Sequence, residues 1–496
     1  MSLPNDVWLQ IIDYISPLAI QELYSVNSAF FNVAMDQRYQ QISFSYLSRK
    51  MIWTLARLKD PPVAKRVRIL HLYPHFVKDA LDTMDQSSSQ SLLSKFGELA
   101  GLIRDQKKLI LKQKPRLPLK FKTCRDLMQV MMEIFSGLPN LTDYHILWCG
   151  LPSVGSDPAL VLSSPLRLNL RCLRLEISLE KLQYILSSFH NQSLPELEEL
   201  DLFIRVEHLN ADRYDNILLM LAHMISSLHS SLRKLTVQLW EPFDLSLLFA
   251  AISYLPLLDK LSLSIPMSFP NLGNPDGLIG FLNGQSNTLR TLSIRASELG
   301  GRSLMMHNEL QLGAWMDQTF SKVHLACITK LEISLYLVPF ESALLCVRTF
   351  SNTLTSLVFT GSHLAYEDLN LLTAAFPPSR QKQALHHARI GPVTLSPQLI
   401  DLFAERFPEM DKLELLVKSI VPFEGDVPLF CGRSNSDRDQ DEGQVRRFIE
   451  EMKHRHYSDW KLRYLDLSSG SYPRLMNEEQ SKSVFMQSIP ALRTFV

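Results

Sequence analysis

A six-residue pattern, Leu-x-x-Leu-x-Leu or a near variant, recurs along most of this 496-residue chain and constrains its fold more than any other feature. Good copies run Leu170–Leu175, Leu197–Leu202, Leu232–Val237, Leu258–Leu263, Leu289–Ile294, Ile328–Ile333, Leu354–Phe359, Met410–Leu415 and Leu462–Leu467. Weaker ones run Val67–Leu72, Leu141–Ile146, Leu385–Ile390 and Leu492–Phe495. Positions 4 and 6 of each copy share one face of an extended strand, and positions 3, 5 and 7 share the other. The central residues Leu173, Leu200, Leu235, Leu261, Leu292, Leu331 and Leu357 follow one another at steps of 27, 35, 26, 31, 39 and 26 residues. Each step has room for one strand and one helix, and the uneven steps predict an irregular array. Helical periodicity fills the gaps over Leu179–Phe189, Tyr214–Leu228, Phe243–Leu255 and Phe340–Phe350. The competing architecture is an ordinary two-layer α/β domain whose strands happen to begin with Leu.

Charge and cysteine content narrow the function classes. Lys+Arg and Asp+Glu both number 51, so bulk electrostatic binding to nucleic acid or to an anionic membrane is not expected. Six cysteines (Cys124, Cys149, Cys172, Cys327, Cys346, Cys431) never fall closer than 19 residues, which disfavours both a zinc ribbon and a disulfide framework. The opening Met-Ser-Leu-Pro-Asn-Asp-Val-Trp has no basic or apolar leader character, and no membrane span is expected, so the expected setting is the cytoplasm or nucleus. The Asn-x-Ser/Thr matches at Asn140 and Asn191 are then expected to go unused.

The first 45 residues follow a different rule. Pro4 suits a first helical turn, and Val7, Ile11, Ile12 and Ile15 fall on one helix face before Ser16-Pro17 stops it. A second short helix is expected over Leu18–Val26, with Ile20, Leu23 and Val26 apolar, and Asn27-Ser28 can cap a third carrying Phe30, Phe31, Val33 and Ala34. Three such helices bury too little to be stable alone, so a partner or the remaining chain must cover part of them.

These residues, Leu3-Pro4 through Ile15 and Leu23 through Ala34, resemble the F-box, and Leu47–Leu72 resembles the segment that follows it in fungal F-box proteins. The basic-Trp or Leu-Trp pair that ends many F-boxes is replaced by Tyr39–Phe44. The repeats are similar to leucine-rich repeats of an irregular kind, without the Asn that short repeats place after the last Leu. The expected fold class is α/β: a short three-helix N-terminal F-box followed by a leucine-rich-repeat-like strand/helix solenoid. Its expected segments are 1–45, the F-box; 46–81, a linker helix and first repeat; 82–124, a Ser-rich and basic insertion; and 125–496, the array, with a polar insert at 424–443 followed by an amphipathic helix Val445–Tyr457. The run from Arg104 to Arg125 holds nine Lys/Arg and one Asp. It reads as a solvated insertion, or as a patch for an acidic partner or nuclear import.

The resemblance implies a non-catalytic substrate receptor. Leu3, Pro4, Ile11, Ile12, Ile15, Leu23, Val26 and Phe30 would dock on the Skp-type adaptor, linked to the cullin of an SCF ubiquitin ligase, while the array holds a target protein. The alternative is a repeat scaffold with no ligase link, its first helices capping the solenoid. Array positions 3, 5 and 7 are expected on a concave face, where Arg174, Phe203 and Arg295 are the candidate target contacts, because Arg and aromatic residues dominate binding hot spots. No phosphate-binding, nucleophile-elbow or zinc-protease motif occurs. His386-His387 and His454-x-His456 lack partners at ligand spacing, and Cys149 reads as a small apolar residue. No cofactor is expected.

Overall fold

The computed structural model describes residues 4–74, 119, 124–149, 161–189, 194–206, 214–266, 270–297, 309–334, 338–377, 385–426, 435–468 and 478–496. Leu3 and almost all of the basic insertion lie outside them. The chain divides into two compact units, Met1–Leu235 and Thr236–Val496.

In the first unit, helices α1 (Asn5–Ile12), α2 (Pro17–Glu22) and α3 (Ser28–Tyr39) come first. The Ser16 side chain accepts from Ala19 N–H, and the Asn27 side chain from Phe30 N–H, so the two predicted breaks are helix caps. Ile12, Ile20, Ala29, Phe30 and Ala34 form a small core, with Trp8, Ile15, Leu23 and Val33 packed against it. Strand β1 (Gln41–Phe44) then begins one residue after α3. It was not expected: Gln-Ile-Ser-Phe lacks the leucine pattern, yet buried Ile42 and Phe44 alternate with exposed Gln41 and Ser43 as in the other strands. The array therefore starts at residue 41, inside the segment assigned to the F-box. Helices α4 (Arg49–Leu58) and α5 (Pro61–Ala64) lead to β2 (Ile69–Leu72), followed by β3 (Asp143–Trp148), β4 (Cys172–Ser178) and β5 (Glu199–Arg205). All five strands are parallel and adjacent in chain order, in the register Gln41, Ile69, Asp143, Cys172, Glu199.

The motif explains the strands. Leu70 and Leu72, Tyr144 and Ile146, Leu173 and Leu175, and Leu200 and Leu202 are all buried, while the residues between them are half-exposed. Position 1 of each copy (Val67, Leu141, Leu170, Leu197) is buried as well and turns the chain into the strand. A backbone step repeats beside it. Arg68 C=O accepts from Thr142 and Asp143 N–H, Thr142 C=O from Arg171 and Cys172, and Arg171 C=O from Glu198 and Glu199. One carbonyl thus sets the entry of each following strand, and the offset never accumulates. The helices Leu179–Phe189 and Asp215–Ser227 match the predicted periodicity, the first burying Leu182, Ile185 and Leu186.

The second unit repeats the rule. Strand β6 (Lys234–Leu239) falls at the division. Strands β7 (Lys260–Ile265), β8 (Thr291–Ala296), β9 (Lys330–Ser334), β10 (Ser356–Leu364), β11 (His387–Leu395), β12 (Lys412–Ile420), β13 (Tyr464–Asp466) and β14 (Thr494–Phe495) follow. These are again parallel and in chain order. The carbonyl step recurs from Asp259, which accepts from Arg290 and Thr291, to Arg463, which accepts from Arg493 and Thr494. The helix expected over Phe243–Leu255 is confined to Ser246–Ala251. Its neighbour Pro275–Gly284 approaches so closely that a Cβ on Gly277 would lie 2.3 Å from Ser246 C=O. The amphipathic helix expected from Val445 begins at Asn435, inside the polar stretch, and ends at Lys453. Its apolar anchors Phe448, Ile449 and Met452 sit only in its last turns. Each unit is thus an α/β array of parallel strands in chain order with helices between them.

Candidate functional site: the open strand face and the first three helices

Alternation along parallel strands stacks equivalent side chains into rows across the sheet. Position 5 of successive copies in the first unit gives the row His71, His145, Arg174, Asp201, with Ser43 of β1 at its end. The rings of His71 and His145 lie 4.3 Å apart between centroids, edge to face. Gln41 Nε2 lies 3.2 Å from His71 Nε2. The guanidinium of Arg174 sits 4.1 Å above the centroid of Phe203, which comes from the next strand, two residues further along. Phe203 therefore lies on the open face and serves as a platform for Arg174. Among the described residues Arg174 makes no hydrogen bond or ion pair.

The neighbouring acids have other contacts. Lys234 Nζ lies 2.8 Å from Glu199 Oε2 and 3.5 Å from Asp201 Oδ1. Burial works against the Lys234 charge, but hydrogen bonds and attraction from these two carboxylates outweigh it and raise its pKa. Asp143 accepts a hydrogen bond from the Thr142 hydroxyl at 2.6 Å. Burial, then His71 and Arg174, push the His145 imidazole down to about 4 against the opposing pull of Asp143 and Asp201. His71 is lowered too, by burial and by Arg174, with Asp143 opposing. Cys172, in the adjacent row, is pushed up to about 12 by burial and by the acids around it, so it is a thiol and a poor nucleophile.

The third candidate target contact lies in the other unit. Arg295 is exposed on β8 and pairs with Glu332 of β9. Beside it Ser293, expected on the open face, is buried. Further along the same unit, Glu414 lies 2.6 Å from Lys412 Nζ, 3.4 Å from His387 Nε2 and 3.5 Å from Arg389 Nε. Arg174 and Phe203 are thus brought together, whereas Arg295 belongs to a separate unit. His71 and His145 were missed because they sit in two of the four weaker motif copies. Numbering those copies like the others would have found both at position 5.

The N-terminal helices place the candidate docking residues in three classes. Ile12 and Phe30 are consumed by the internal core, while Ile11, Ile15 and Leu23 are half-buried. Pro4 and Val26 are exposed. The docking residues expected from the sequence did not include Leu9, Tyr14, Leu18, Tyr24 and Phe31, which are exposed together with Val26. Arg66, in the turn before β2, donates to Asn32 C=O and Asn32 Oδ1 and pairs with Asp36, which clamps α3 to the array.

Among the described residues no group of three or more His, Cys, Asp or Glu is arranged to hold a metal ion, and no helix is long and apolar enough to cross a membrane. No protein-family model matches the chain, and neither does any curated protein. Among solved structures the chain is similar to LegL7, a leucine-rich repeat-containing protein from Legionella pneumophila. The two share 15% identity over 64% of this chain and 93% of that one, with a TM-score of 0.35. The fold is defined by its own strand register and burial pattern.

Proposed function

We propose that the chain is a non-catalytic substrate receptor of an SCF-type ubiquitin ligase. Its first three helices dock on the Skp-type adaptor and thereby on the cullin, and the strand face of the array holds a target protein. The observation that carries this reading is the apolar surface left by α1–α3. Their own core is closed, yet Leu9, Leu18, Tyr24, Val26 and Phe31 stay in water within a few turns of one another in sequence. So dense an apolar exposure on so small a module is characteristic of a protein-docking surface. The F-box resemblance of Pro4–Ala34 supports the adaptor as the occupant. The work done is proximity, which raises the effective concentration of a target lysine at the conjugating enzyme. The proposed setting is cytoplasm or nucleus, with no cofactor, nucleic acid or membrane required.

A second reading has its own support. The Arg66 clamp and the direct passage from α3 into β1 are what an end cap of a repeat scaffold needs. Affinity purification of the full chain followed by mass spectrometry separates the two, with Leu18→Asp as the paired variant. Recovery of adaptor and cullin with the wild type and their loss with Leu18→Asp supports the ligase reading. Recovery of a different partner with both proteins, and no adaptor, supports the scaffold.

A further inference from the structure

We propose that the row His71–His145–Arg174 on β2–β4 is a receptor site for a carboxylate side chain, Asp or Glu, carried by an extended segment of the target protein. The inference rests on reading the strand face as the receptor surface and names the chemistry that the face selects.

Three observations converge. First, three nitrogen-bearing side chains occupy one register position on three adjacent strands, about 4.8 Å apart from strand to strand, so one carboxylate can reach Arg174 and its neighbour His145 together. Second, the Arg174 guanidinium lies over the Phe203 ring, 4.1 Å from its centroid, and among the described residues its N–H groups have no acceptor. A guanidinium stacked on a ring keeps its edge for a fork-shaped pair with a carboxylate. Third, the nearest acids do not pair with Arg174: Asp143 accepts from the Thr142 hydroxyl, and Asp201 Oδ1, without a hydrogen bond among the described residues, lies 3.5 Å from Lys234 Nζ. Those two carboxylates also decide the size of the charge. With both imidazoles neutral, Arg174 is the row's one fixed cation and the two acids leave the row net negative, so attraction is confined to a short-range pair with Arg174, and a dianion such as a phosphate ester is repelled more strongly than a monoanion.

Proton linkage follows from the same geometry. His145 faces His71, Arg174, Asp143 and Asp201, and His71 faces His145, Arg174, Asp143, Gln41 and the Tyr73 ring. An added carboxylate opposes the repulsion that Arg174 exerts on both imidazoles and raises their pKa values. Binding therefore takes up protons and strengthens as pH falls from neutrality towards the free-state values.

The test uses the full chain and three fluorescein-labelled nonapeptide libraries that differ only in a fixed central residue: Glu, Gln or phosphoserine. Binding is read by fluorescence anisotropy at pH 7.5 and 6.0. The expected result is retention of the Glu library over the Gln library by roughly tenfold, the scale of one hydrogen-bonded charge pair. This preference grows at pH 6.0 and falls to parity in Arg174→Gln. Arg174→Lys keeps the charge without the fork and should keep only part of the preference. His71→Gln with His145→Gln should remove the pH dependence. Equal binding of Glu and Gln, a preference for phosphoserine, or an undiminished Glu preference in a folded Arg174→Gln chain would overturn the proposal. Adaptor recovery is measured on the same variants, so loss of the carboxylate site with the adaptor retained is distinct from failure of the ligase reading.

Discussion

Arg66 reaches from the turn before β2 to the Asp36 carboxylate of α3 at 2.5 Å, while its other donors hold the Asn32 carbonyl and side chain. The short helices, whose own core is only a handful of residues, thereby borrow stability from the array. Arg66→Ala is expected to loosen α1–α3 by roughly 1 kcal/mol, since Asp36 is largely exposed and the ion pair is screened. Hydrogen exchange should quicken across Asn5–Tyr39 and stay unchanged across β3–β5.

The helical module should separate folding from docking at two residues. Ile12 is buried in its core, whereas Leu18 is 78% exposed. Ile12→Asp places an unpaired carboxylate among apolar side chains, at a cost of several kcal/mol, and should melt the module. Leu18→Asp should leave its exchange protection and proteolytic resistance intact while abolishing capture of the adaptor. Adaptor binding that survives Leu18→Asp would move the docking surface elsewhere.

Leu200, fully buried in β5, tests the core of the array. Leu200→Ala is expected to cost about 3 kcal/mol, from lost transfer energy and the cavity left behind. Denaturant unfolding of the wild type and variant measures it, and a loss under about 1 kcal/mol would mean that the strand core collapses around the gap.

Glu414 carries a pH signature. Burial alone would raise its pKa, but the hydrogen bond and charge of Lys412, with His387 and Arg389, hold the carboxyl below its ordinary value. A depressed folded-state pKa gives stability that is present above the unfolded value of about 4.3 and is lost as pH falls through the folded value. The stability difference between the wild type and Glu414→Gln should therefore shrink as pH drops below about 5. A difference that stays constant from pH 7 to pH 3 would remove the ion cluster from the account.

The strands were legible because the sequence carries them twice, in the leucine spacing and in the polar residues between. All nine good motif copies lie in or lead into strands, and the four weaker ones do too. Strand β1 was not legible, since Ile42 and Phe44 gain meaning only once β2 lies beside them. The first half of the helix Asn435–Lys453 was hidden for a different reason: its first apolar residue is Val445, so periodicity has nothing to register earlier. Of the target-contact candidates, Arg174 and Phe203 follow from position counting. That one stacks on the other depends on the parallel register, which no single copy contains.

Only Gln40 separates the last residue of α3 from the first of β1, and its carbonyl accepts from both Arg68 and Ile69 N–H. That junction has no slack of the kind a flexible linker gives. An α-helix turns about 100° per residue, so one amino acid added or removed there would swing α1 and α2 by more than a quarter-turn about the axis of α3. Aim, in this protein, is set by a count of residues.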